Sequence, residues 1–69
     1  MRVIQLLTTM SYGDAVSNEV LALYDTLARA GYSTGIYAEN IDSKLPRRLV
    51  KKVNKMPKLK DSDVIIYHL

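Results

Sequence analysis

Val3-Ile4-Gln5-Leu6-Leu7-Thr8-Thr9, Met10-Ser11-Tyr12-Gly13-Asp14 and the apolar ladder from Val16 to Leu27 follow one another without a break, and their reading decides the fold. Val3 to Leu7 is apolar except for Gln5, the pattern of a parallel strand covered on both faces. Thr8 and Thr9 begin the exit from it. Gly13 can take a positive φ, and Asp14 is a good helix N-cap. Val16, Val20, Leu23, Tyr24 and Leu27 then recur on one face of an amphipathic helix over roughly residues 15 to 30. Asp14 and Glu19 lie near its start and Arg29 near its end, as the helix dipole favours. Gly31 stands where a left-handed residue commonly closes a helix. Strand, glycine loop and helix together open a β-α-β unit.

The rest of the chain continues the alternation. Thr34 to Ala38 is β-rich and follows directly on the glycine stop, with Glu39, Asn40 and Asp42 ending it in turn chemistry. Pro46 suits the first turn of a helix. Leu45, Leu49, Val53 and Met56 recur at helical spacing among basic residues, so residues 46 to 55 read as a short basic amphipathic helix that Pro57 stops. Asp63 to Leu69 reads as a third strand. The expectation is an α/β chain, β-α-β-α-β, with a three-stranded parallel sheet. A third strand normally leads into a further helix that covers it, so the chain reads as a single truncated domain over residues 1–69.

Sixty-nine residues make at most one small domain, with a core close to the lower limit for independent folding. There is no cysteine, so neither disulfides nor thiolate metal sites supplement that core. The apolar run after Arg2 is too short for a signal sequence, and no run approaches a membrane span, which reads as a cytoplasmic protein. The net charge of +3 conceals an asymmetry. Residues 44–60 hold eight lysines and arginines and no acid, whereas the rest of the chain sums to −5. One segment therefore sets the basic character.

Three features could carry chemistry. The Gly13–Asp14 loop lies where open α/β sheets bind ligands, at the carboxyl end of a strand and the positive end of a helix. Gly13 stands alone, outside the spacing of a dinucleotide fingerprint, and an N-cap carboxylate at Asp14 occupies amides that a phosphate would need. The loop is thus either a ligand site or plain turn chemistry. His68, the single histidine, sits at a strand's carboxyl end, either placed for proton transfer in a cleft or hydrogen-bonded at the edge of the core. The scattered carboxylates have no metal-ligand spacing, and no cofactor is implied. Lys51, Lys52 and Lys55 could meet an anionic membrane surface, or form a solvated face. Nucleic acid is disfavoured, because no aromatic residue interleaves with the lysines as a stacking platform.

Tyr12-Gly13-Asp14-Ala15, Asn18-Glu19-Val20-Leu21-Ala22-Leu23, Gly31-Tyr32, Ile36-Tyr37-Ala38-Glu39-Asn40-Ile41 and Asp63-Val64-Ile65-Ile66-Tyr67-His68 carry a resemblance. Together they resemble the N-terminus of retaining glycosyltransferases of the group 1 (family 4) type, over essentially the whole chain. That family has the GT-B architecture of two facing Rossmann-like domains. The resemblance implies the start of the N-terminal, acceptor-side domain, with strand order 2-1-3. It implies a nucleotide-sugar donor and a glycan or lipid-carrier acceptor; together with the basic segment, the cytoplasmic reading extends to a place at the membrane periphery. Gly13, Asp14 and Asn18 would lie near the donor's diphosphate, Glu39 on the acceptor side, and His68 at the catalytic cleft. Many members carry a Gly-Gly pair where Asp14-Ala15 stands here. Without the donor-binding domain, the chain alone would be inactive. The alternative class is a non-enzymatic basic α/β module that binds an anionic surface. In the 2-1-3 order the outer flank of the third strand is bare, which favours association with a second copy.

Overall fold

The computed structural model describes residues 1–69. Strand β1 (Arg2–Met10) leads into helix α1 (Ala15–Arg29), followed by β2 (Ser33–Ile41), β3 (Val50–Lys52), a 3-10 turn (Val53–Lys55) and β4 (Val64–His68). The four strands form one parallel sheet in the order β3-β2-β1-β4. The α/β class and the parallel sheet agree with the sequence reading. The central strand does too, since β1 lies between β2 and the C-terminal strand. Two details are corrected: the sheet has four strands rather than three, and the order 2-1-3 gains a strand outside β2.

That extra strand replaces the helix expected over residues 46–55. Pro46 does begin a turn, its carbonyl accepting the amides of Leu49 and Val50 at 3.1 Å, but the turn is not continued. A helix here would stack Arg47 on Lys51, Arg48 on Lys52 and Lys51 on Lys55, and like charges at that spacing repel. Val50 instead pairs with Ile36, and its side chain enters the core. Of the periodic set, Leu45 is buried in the core and Leu49 packs against it, whereas Val53 and Met56 are half-buried outside that cluster. As the edge of the sheet, β3 carries Lys51 and Lys52, a charge pattern that discourages edge-to-edge pairing.

The N-terminal unit follows the sequence closely. Helix α1 starts at its expected N-cap and ends at Ala30. Gly31 has φ +93°, and its amide bonds the Ala28 carbonyl while Tyr32 N reaches Leu27 O, both at 3.1 Å. These two bonds make a Schellman closure. On the inner face of α1, Val20 is fully buried and Leu23, Tyr24 and Leu27 are half-buried. Val16 is exposed, and Ser17 takes the buried place beside the sheet. Both β1 and β2 run three residues beyond their expected ends at Leu7 and Ala38, so Glu39 and Asn40 lie inside β2. Pairing of Thr9 with Asn40 and Met10 with Ile41 continues the ladder, and Asp42 N extends it to Met10 O at 2.9 Å.

The core lies between α1 and the sheet, where Leu7, Met10, Val20, Ile36, Ala38, Leu45 and Val50 form one cluster. No second α-helix covers the other face. The β1-to-β2 and β3-to-β4 connections run in opposite lateral directions, so right-handed crossovers send them over opposite faces. The return segment to β4 brings Pro57 beside Ile4, Gly35 and Tyr37. Arg2 fastens it by donating to the Lys58 carbonyl (2.9 Å) and to the Asp63 carboxylate (2.6 Å). Ile4 is thereby buried, but Ile65 and Tyr67 farther along that face are exposed.

Candidate functional site

The carboxyl edge of a parallel sheet collects strand ends and helix starts, and all five residues singled out in the sequence lie there. Gly13 has φ +85° and turns the chain from β1 into α1. The Asp14 carboxylate then accepts Ser17 N at 2.7 Å, and Ser17 Oγ accepts Ser11 N at 2.9 Å. Asp42, beyond the end of β2, accepts Tyr12 N at 3.3 Å and Lys44 N at 3.0 Å, so it ties the two loops together. The Lys44 ammonium lies over the Tyr12 ring and adds a cation–π contact between them. Sequence reasoning gave Asp42 only a turn role, because nothing local announces a bond across 30 residues.

Electrostatics follow from these bonds. The Ser17 amide holds the Asp14 carboxyl below the usual carboxylate range, and the Lys44 and Tyr12 amides do the same for Asp42. An anion approaching α1 end-on therefore meets an ionised Asp14 that already uses one leading amide. Asn18 is exposed on the first turn of α1, beside that loop.

His68 is half-buried at the end of β4, level with Leu7. Its Nε2 lies 2.8 Å from Gln5 Oε1. Gln5 is fully buried and donates through Nε2 to the Val20 carbonyl at 3.0 Å. A carbonyl can only accept, so the amide nitrogen of Gln5 faces α1 and its oxygen faces His68. The Nε2 of His68 must then be the donor, which leaves Nδ1 outside this bond. A relay of backbone carbonyl, Gln5 and His68 thus fixes the ring's tautomer. The sequence did contain a signal for Gln5: a glutamine inside a buried strand needs a hydrogen-bond partner.

Glu39 is on the other side. Ala38 is level with Leu7 and so shares a face with His68, and strand alternation sends Glu39 to the opposite face. The structure brings Gly13, Asp14 and Asn18 together, holds His68 at the same edge, and keeps Glu39 apart from the histidine.

A second feature of this edge lies between the ends of β2 and β3. It is a hollow of about 520 Å³ walled by Arg47, Lys51, Lys52 and Lys55. Lysines 51, 52 and 55 do not share a helical face, but the turn and strand that replace the helix gather them around one depression. Lys52 Nζ donates to the Glu39 carbonyl at 3.0 Å. No group of three or more His, Cys, Asp or Glu side chains is placed to hold a metal ion.

No family model, curated protein or solved structure matches this chain. No helix is long and apolar enough to cross a membrane.

Proposed function

We propose that these residues form the start of the N-terminal domain of a GT-B glycosyltransferase, which transfers a sugar from a nucleotide-sugar donor to a glycan or lipid-carrier acceptor. The observation that carries this reading is the placement of the Tyr12-Gly13-Asp14-Ala15 loop and His68 at one carboxyl edge of a wholly parallel sheet. Ligands of open α/β sheets bind at that edge. The step from fold to activity rests on the resemblance of the quoted motifs. In this reading Gly13 and Asn18 border the donor's diphosphate, and Asp14 shapes the loop. Glu39 lies toward the acceptor, and His68 is the catalytic side chain, oriented through Gln5. Positioning and electrostatic stabilisation of the leaving diphosphate supply the rate. The donor-binding half lies outside these residues, so the chain alone transfers no sugar. The reading is tested on the product of the complete reading frame containing these residues. Turnover of a uridine, guanosine or adenosine diphosphate sugar supports it, and failure to turn over any of the three contradicts it.

The same reading bears on association. β4 is an edge strand on which Val64, Ile65 and Tyr67 are exposed, as is Leu69 beyond it. In the complete enzyme the rest of the N-terminal domain covers this flank. On its own, the 69-residue chain pairs it with a second copy. Sedimentation at micromolar concentration is expected to give a dimer or larger species, and a folded monomer contradicts that expectation.

A further inference from the structure

The geometry points to the hollow beside β3 as a binding site for a phosphate monoester or diphosphate carried on a small organic body. The inference goes beyond the glycosyltransferase reading, since it rests on charge and shape alone and concerns a different part of the edge from the Gly13 loop.

Four cations meet around this depression and no carboxylate lines it. None of the four is in an ion pair, because the molecule's two pairs join Arg2 to Asp63 and Arg29 to Asp25. The one hydrogen bond made by a lysine ammonium of this group, Lys52 to the Glu39 carbonyl, leaves its charge uncompensated. Like charges crowded at a concave wall repel one another and focus a positive potential into the cavity. A multivalent anion relieves that repulsion. A phosphate monoester carries about −2 at neutral pH and presents three acceptor oxygens to donors arriving from several directions. Arg47 offers a planar fork for two of them, and the lysines act as point charges. The Ser43 hydroxyl in the wall adds a neutral donor.

The floor argues for an organic body beside the anion. Val50 is buried beneath the hollow, and the half-buried Ile41 lines it, giving apolar surface that an inorganic ion does not use. Its size falls within the range of small-molecule sites, roughly 300–1,000 Å³. The concave form also separates this reading from a flat membrane contact.

The test uses the wild-type chain and two charge-matched double variants. Lys51→Gln with Lys55→Gln removes two cations from the wall. Lys58→Gln with Lys60→Gln removes two exposed cations outside it. Pyrophosphate and ribose 5-phosphate are titrated while backbone amide shifts are followed by NMR. The expected result is saturable shifts at Ser43 and residues 51–55, with affinity at least about tenfold weaker in the first variant, the scale of lost charge-assisted bonds. The second variant is expected to stay within about twofold, because distant surface charges are screened. Equal weakening in both variants, or shifts centred on residues 13–18, overturns the proposal. Vesicles identify the source of the phosphate. Sedimentation with phosphatidic acid vesicles that pyrophosphate reverses supports the site with a lipid headgroup, and binding of only the soluble esters supports it with a free metabolite. Sedimentation with phosphatidylglycerol vesicles that pyrophosphate does not reverse overturns it in favour of a diffuse surface.

Discussion

Asp63→Asn is expected to unfold at a clearly lower denaturant midpoint than the wild type at pH 7, with the difference shrinking as the pH falls below about 4. Asp63 sits at the start of β4 with its side chain only 3% exposed. It accepts Arg2 N and Nε at 3.2 Å, Arg2 Nη2 at 2.6 Å and Lys60 N at 2.8 Å. These bonds fasten the first residue of β1, and the segment that crosses the uncovered face, to the last strand. Arg2 beside it, more than any other group, holds the Asp63 carboxyl far below the usual carboxylate range. A carboxylate whose folded pKa is depressed stabilises the protein above its unfolded value, near 4, and that contribution is lost as the pH drops toward the folded value. Asparagine keeps the shape, cannot ionise, and leaves Arg2 without its counter-charge. The wild type should therefore show a steeper acid limb than the variant. Denaturant titrations across pH 2–7 check this, and parallel curves for the two proteins contradict the role given to Asp63.

The larger loss is expected from Ile36→Ala. Ile36 is 1% exposed on β2, the strand that pairs with both β1 and β3, and its side chain belongs to the single core cluster. Truncating a buried isoleucine costs about 2–5 kcal/mol, through lost transfer energy and the cavity left behind. A chain of this length has roughly 3–10 kcal/mol of total stability to lose. The variant should be largely unfolded at physiological temperature by far-ultraviolet circular dichroism, whereas Ile36→Val, at about 0.5–1.5 kcal/mol, should keep the fold. An unchanged unfolding midpoint for Ile36→Ala would place the core elsewhere.

The sequence announced the β1-α1-β2 unit because each local signal agreed with the next. Gly13, Asp14, the Val16-to-Leu27 stripe and Gly31 all ask for the same turn, helix and stop, and the structure uses them, except that Val16 is exposed and Ser17 takes the buried place. The basic segment misled for a physical reason. Leu45, Leu49 and Val53 recur at a spacing that suits a helix, but a tight turn followed by a three-residue strand can bury Leu45 and Val50 equally well. Periodicity cannot separate the two over so short a run. The like-charge stacking of Arg47, Arg48, Lys51, Lys52 and Lys55 was the cue against the helix, and it lay in the sequence throughout.

At the candidate site, local chemistry was legible and long-range chemistry was not. Asp14 as N-cap needs only its own neighbours. The Gln5–His68 bond joins residues 63 apart and the Asp42–Tyr12 bond residues 30 apart, so both exist only once the sheet has formed. The hollow beside β3 is of the same kind. Its cations were visible as a charge run, but their grouping around a cavity depends on the strand that replaced the helix.

The central functional reading is most directly tested by measuring nucleoside diphosphate release from uridine, guanosine and adenosine diphosphate sugars. The protein is the product of the complete reading frame, compared with its His68→Ala variant. Release from one of the three donors is expected, with a loss of about 10²-fold or more in the variant, the scale of removing one group that stabilises the developing charge. No release from any donor, or a His68→Ala protein as active as the wild type, would contradict it.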